Sequence, residues 1–390
     1  MEQRGFLLIA DITGYTVYLG ESELEHAQGT LTDLLELLIE HTRPPLQISG
    51  LAGDAVLSYS LDDGFVSPQT FIESLEDTYV AFRRAIELMV LNNTCQCNAC
   101  ANVSSLDLKF FVHHGSFVLQ KVGEYRELVG SDVNLLHRLL KNKVTSDLGF
   151  RAYILCTDAA ERALGLDGAG PDRIRHVEQL SEFGDVVTWI RDMHPVFEER
   201  KDEALVTYGD DEVLTTIETT IALPPEIVWD YLNQSRFRDI LMGSDRHELS
   251  DRTGNRVGEG TVYQCYHGNH AIPQVVLEWR PVRRVVVRMT APVPFGPVDV
   301  LVDFNLTPIE EGTRFTEILA RLDGPILGRA VFRAMVRLAG SQDRKRSASF
   351  GHSIEADYAS RAGGSVSARL LTSEQIAVAA SSGLRSAADD

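Results

Sequence analysis

FLLIADITGYT, residues 6–16, is the stretch on which the reading of this chain turns. Phe6 to Ala10 is a short apolar run interrupted by Asp11, and Gly14 follows before Tyr15 and Thr16. Such a run predicts a buried strand that carries an aspartate at its end. A second aspartate lies in LQISGLAGDAVLSYS, residues 46–60, which reads as two short strands around a turn at Gly53 and Asp54. Two short carboxylates on rigid turns suit Mg2+ or Mn2+, hard cations that demand tight octahedral geometry and leave positions open for substrate phosphate. Aspartate beside glycine is also ordinary turn chemistry, so both readings stand at this point.

Working outward, Leu24, Ala27, Leu31, Leu34, Leu35 and Leu38 recur at helical spacing over 22–41, with Ser22 and Glu25 as a capping box and Pro44 and Pro45 as the stop. A second helical period runs over 69–91, and LDLKFFVHHG (106–115) reads as a strand. GSDVNLLHRLLKNKV, from Gly130, opens a further helix on which Asn134 and Arg138 stand four apart and so share a face. Arg can hold a phosphoryl group through its planar fork, and an amide can position a sugar or an attacking hydroxyl.

In this order the pieces resemble the catalytic domain of class III nucleotidyl cyclases, the adenylate and guanylate cyclase family. Asp11-Ile12-Thr13-Gly14-Tyr15-Thr16 reproduces the family's strand-end motif, and Gly53-Asp54 its Gly-Asp. Phe111 to Gly115 stands for its Gly-x-His-x-Gly with Phe replacing the first Gly, and Gly130, Val133, Asn134 and Arg138 for its Gly-x-x-Val-Asn-x-x-x-Arg. The resemblance covers about half the chain and implies a ferredoxin-like-derived α+β domain. It implies a homodimer whose composite sites take metal from one protomer and Asn and Arg from its partner. The implied reaction is attack of a nucleoside triphosphate's ribose 3′-oxygen on its own α-phosphate, giving a cyclic nucleotide and pyrophosphate for signalling. Asp11, Asp54 and the Ile12 carbonyl would hold two Mg2+ or Mn2+ ions, Arg138 would stabilise the α-phosphate, Asn134 would orient the ribose and Lys141 or Lys143 would contact phosphate. Two positions depart from the pattern. The base-selecting position four before Asp54 is Gly50, which has no side chain, and its counterpart three before Gly130 is Glu127. A domain that only dimerises or binds nucleotide is therefore the alternative.

Cys95, Cys97 and Cys100 crowd into CQCNAC, a spacing that can bind Zn2+ with a fourth ligand from His113, His114 or Cys156, or can simply be reduced thiols. From Thr215 the pattern changes. Pro224 and Pro225 open a helical pair bearing Trp229 and Tyr231, several antiparallel strand runs follow, and a long helix is expected over 326–359. This order resembles the START-like (SRPBCC) helix-grip family, which includes polyketide cyclase-like proteins. The resemblance implies a hydrophobic small molecule held in a cavity with Trp229, Tyr263, Trp279, Met289, Phe304, Phe332 and Met335 as candidate lining; aromatic and Met residues at such spacing also make plain core.

The 390 residues exceed what one core usually organises. The expected division is a cyclase-like domain over 1–192, a charged linker over 193–212, a ligand-binding domain over 213–360 and a loosely ordered tail over 361–390. A net charge of −19 opposes binding to nucleic acid or to an anionic membrane surface. No apolar stretch reaches membrane-span length and the opening residues do not read as a leader, so a cytoplasmic chain is expected.

Overall fold

The computed structural model describes residues 2–21, 23–42, 44–63, 66–91, 97–122, 125–166, 172–201, 205–251, 257–268 and 270–361. Ser22 of the expected capping box, Cys95, and residues 362–390 of the expected tail lie outside them. The chain divides into two compact units, Met1–Glu203 and Ala204–Val366.

The first unit runs β1 (Glu2–Thr13), α1 (Tyr15–Glu21), α2 (Leu24–His41), β2 (Gln47–Ala52), β3 (Ala55–Leu61), α3 (Pro68–Leu91), α4 (Asn98–Asn102), β4 (Asp107–Val122) and β5 (Tyr125–Val129). It continues with α5 (Ser131–Leu139), α6 (Val144–Leu148), β6 (Tyr153–Thr157), α7 (Asp158–Ala163), β7 (Ile174–Leu180), β8 (Gly184–Asp192) and α8 (His194–Lys201). The strands form one sheet in the order β2-β3-β1-β4-β6-β8-β7, with β5 paired to β4. β1 lies between β3 and β4, antiparallel to both, which is why Phe6 to Ala10 can be apolar without alternation: both faces are covered and all five residues are buried. β4 and β6 are the parallel pair, and the chain makes the required crossover through α5 and α6.

The stretch 193–212, expected to be a linker, begins with helix α8. Val196 and Phe197 are buried, and Arg200 donates to Glu76 of α3 at 2.7 Å. Its charges are partners for α3 rather than a solvated tether, and this hides the helix in the composition.

The second unit runs β9 (Val213–Ile221), α9 (Pro225–Leu232), α10 (Ser235–Met242), β10 (Arg246–Asp251), β11 (Val262–His267), β12 (His270–Arg280), β13 (Arg284–Ala291), β14 (Val298–Ile309), β15 (Gly312–Asp323) and α11 (Ile326–Arg361). Its sheet is antiparallel throughout, in the order β10-β11-β12-β13-β14-β15-β9. α11, 36 residues long, lays Phe332, Val336, Ser347, Phe350 and Ile354 on its buried face and packs on β9. Met335 is half-exposed on that helix and lines no interior, unlike the expectation. The architecture is α+β: a mixed sheet with helices, then an antiparallel sheet closed by a long helix. No helix among the described residues is long and apolar enough to cross a membrane.

Candidate functional site

Asp11 and Asp54 are brought together by strand pairing. Asp11 stands opposite Ala55 of β3 on one side and Lys109 of β4 on the other, and the Ile12 N–H donates to the Asp54 carbonyl at 3.4 Å. The turn out of β1 needs Gly14. Its φ is 90°, and a Cβ there would lie 3.3 Å from the Ser105 carbonyl oxygen. Burial raises the Asp11 carboxyl above its usual range, with Lys109 pulling it back. Asp54 is pushed up to about 6, by burial first and then by the charge of Asp11. The pair is thus short of positive charge, since Lys109 is a single ammonium for two carboxylates. This donor set fits a hard divalent cation of the Mg2+ or Mn2+ type. Ile12 is itself buried and has only its carbonyl to offer.

Helix α5 buries Val133, Leu136 and Leu139 and leaves Asn134 and Arg138 exposed. It is pinned to β4 by Asp132, which accepts the Ser116 N–H at 2.6 Å and lies 3.6 Å from Nε2 of His113. Gly115 is required by this joint, because a Cβ there would sit 2.1 Å from the Asp132 carboxylate. Arg138 makes a two-pronged ion pair with Glu182, in the turn between β7 and β8, at 2.8 and 2.9 Å. Both partners are about half exposed (55% and 53%), so the pair contributes at most about 1 kcal/mol and is cheaply broken. Lys141 and Glu127 are exposed. Glu127 lies in β5, which runs close to β2, where Gly50 falls at a register irregularity with nothing within 4 Å of an added Cβ. Among the described residues, no hydrogen bond or ion pair joins Asn134, Arg138, Lys141 or Glu127 to Asp11 or Asp54.

The expected extra zinc ligands have other partners. His113 Nδ1 is 2.8 Å from Thr157 Oγ1, His114 Nε2 is 2.8 Å from Asp62, and Cys156 is buried in β6. The residue that instead meets Cys97 and Cys100 is His26 of α2, and the three ligand atoms lie within 4.8 Å of one another.

In the second unit Trp229, Tyr263, Trp279 and Phe304 are all buried. Trp229 and Trp279 meet edge to face at 4.8 Å, and Phe304 stacks with Phe315, which touches Phe350 of α11. Cys265 and His267 contact each other at 3.3 Å on one strand face. Lys109, Glu182, His26 and the buried Arg238 of α10 are the charged or ligating residues that the sequence alone did not single out. Lys109 alone had a signal, a charge inside the apolar run LDLKFFV.

Residues 31–148 match a family described as "Protein of unknown function (DUF2652)", and residues 213–349 match "Polyketide cyclase / dehydrase and lipid transport". The chain is 29% identical over 134 residues, 34% of its length, to an uncharacterized protein of Mycobacterium tuberculosis, and it spans 60% of that relative's length. Among solved structures it is similar to the adenylyl cyclase CyaB from P. aeruginosa (15% identity, 49% of this chain and 95% of that one, TM-score 0.33). It is similar as well to the guanylyl cyclase domain of the RhoGC fusion protein from the aquatic fungus Blastocladiella emersonii (16% identity, 49% and 97%, TM-score 0.33).

Proposed function

We propose that the first unit is a nucleotidyl cyclase, working as a homodimer, and that the second unit takes a hydrophobic small molecule and regulates it. One observation carries the reading: two carboxylates, Asp11 and Asp54, adjoin each other at the ends of neighbouring strands, burial raises both, and the charge of Asp11 raises Asp54 further, so a cation there would be stabilised. They would hold Mg2+ or Mn2+, which when bound neutralises triphosphate charge and eases loss of a proton from the attacking hydroxyl. Arg138 offers a planar fork to the α-phosphate, where charge grows as the 3′-oxygen attacks and pyrophosphate leaves. Asn134 holds the ribose so that its hydroxyl faces that phosphorus. Both project into solvent, which suits delivery to the Asp pair of a partner protomer. With no side chain at Gly50, Glu127 is left as the group that reads the base, accepting a hydrogen bond from an exocyclic amine.

The second reading, a silent dimerisation or nucleotide-binding module, is favoured by Lys109, whose ammonium already compensates Asp11. Incubating the purified chain with ATP, GTP, CTP and UTP in turn, with Mn2+, separates the two. The cyclase reading expects a cyclic nucleotide and pyrophosphate from at least one of them, lost in Asp11→Asn. Nucleotide binding without product from any of the four would leave the silent module in its place.

A further inference from the structure

We infer that the interior of the second unit takes a carboxylate with an apolar body, the carboxylate held by Arg238; this rests on the reading of that unit as a hydrophobic-ligand domain. Arg238, on α10, is 1% exposed, and none of its three guanidinium nitrogens has a hydrogen-bond partner. Its guanidinium carbon sits 4.2 Å from the centre of the Tyr263 ring. Burial pulls the Arg238 guanidinium below its ordinary value, the nearby Tyr263 side chain opposes this without full hydrogen-bond geometry, and no carboxylate pairs with Arg238 among the described residues.

An arginine keeps its proton, and a buried charge without a counter-ion is costly. The same unit shows how it otherwise handles that cost. Arg284 pairs with Asp303 at 2.6 Å and with Glu278 at 3.2 Å, and Arg346 is paired with Asp343. Arg238 is the buried arginine left for something else to neutralise.

Its surroundings are built for one anion. Gln274 of β12 stands directly across from Tyr263, and His247 of β10 across from Cys265, so these polar groups come from neighbouring strands. The ring nitrogens of His247 and the amide of Gln274 are buried and lie close to each other without full hydrogen-bond geometry. Burial and the Arg238 charge hold His247 down to about 3, so it is a neutral donor or acceptor and adds no second charge. A carboxylate matches the guanidinium fork with two oxygens, and the Gln274 amide can donate to one of them. Val276 and Trp279 follow on buried positions of β12, with Trp229 against Trp279, and supply an apolar wall.

The test is calorimetric titration of the full chain with medium- and long-chain n-alkyl carboxylates, naphthoate and the matched alcohols. At least one carboxylate should bind on the order of tenfold to a hundredfold more tightly than its alcohol, the yield of a charge-assisted hydrogen-bond pair. In Arg238→Met that preference should vanish while alcohol binding persists. Equal binding of acid and alcohol by the natural chain overturns the anion site and leaves the hydrophobic reading intact; no binding of either class overturns both. The comparison within the natural chain decides even where Arg238→Met does not fold.

An independent cluster carries a second inference: we propose that His26, Cys97 and Cys100 bind zinc. His26 Nδ1 and Cys97 Sγ are 3.3 Å apart, and all three ligand atoms lie within 4.8 Å. A tetrahedral zinc with Zn–S of about 2.3 Å and Zn–N of about 2.0 Å needs ligand atoms roughly 3.3 to 3.8 Å apart, so a small closure suffices. Cys97 caps α4, its sulfur accepting the Cys100 N–H, which sets both sulfurs on one side of the turn. Glu23, whose carboxylate accepts the Ala99 N–H at 3.2 Å and interacts with Cys97, offers a further oxygen donor beside the cluster. Cobalt loading of the full chain should give a thiolate-to-metal charge-transfer band, and chain purified without chelator should carry zinc that Cys97→Ala/Cys100→Ala loses. Absence of the band, or zinc content unchanged in the double variant, overturns the site.

Discussion

Burial in β15, and then the charge of Asp343, hold the Glu317 carboxyl up to about 7, with Arg346 opposing. A carboxyl raised above its unfolded value of 4.5 binds its proton more tightly in the native state. Stability therefore falls as pH rises from about 4.5 to about 7, and the whole cost is present above that. Glu317→Gln is expected to leave stability unchanged at the acid end and to raise it by about 3 kcal/mol well above neutrality. Thermal melts across pH read this directly, and a Tm difference flat with pH would contradict it. Arg138 gives the opposite case. Its pair with Glu182 is half exposed, so Glu182→Ala should change stability by less than about 0.5 kcal/mol while lowering the KM for nucleoside triphosphate, because the guanidinium is released. An unchanged KM would mean that Arg138 meets no phosphate. Both relations were invisible in the sequence, since Glu182 lies 44 positions from Arg138 and nothing periodic links them.

Among the elements, the joint between β4 and α5 is where a motif becomes geometry. Gly115 has no side chain because Asp132 fills that space to reach the Ser116 N–H. Gly115→Ala and Asp132→Ala each break the same charge-assisted bond, so each should destabilise by about 1–3 kcal/mol, and the double variant should cost clearly less than their sum. Additive losses in denaturant melts would show that the two residues act separately. Elements whose apolar residues recur at a clear period were legible in the sequence: α2 through Leu31, Leu34 and Leu38, and the β2–β3 hairpin through Gly53 and Asp54. Helix α8 was not, because only Val196 and Phe197 are buried in it and charge pairs with α3 and its neighbourhood supply the rest of its contacts.

For the whole molecule, a net charge of −19 means that its overall field repels a triphosphate, so a phosphate site must depend on a bound cation and local arginine. The residues proposed for such a site stand out in the sequence because each motif is local: Asp11 ends an apolar run and Asp54 follows a turn glycine. What the sequence hid is whatever tertiary folding brings in from a distance. His26 reaches Cys97 across 71 positions, and Arg238 gives no sign in its own stretch that it is buried without a counter-ion. The claim that one protomer supplies Asp11 and its partner supplies Arg138 is tested most directly by mixing two inactive variants. A 1:1 mixture of Asp11→Asn and Arg138→Ala chains has half its dimers mixed, and each mixed dimer has one undamaged site of two, so pyrophosphate release should recover to about a quarter of the natural rate. A mixture no faster than its separate components, beside an active natural chain, would contradict the composite site.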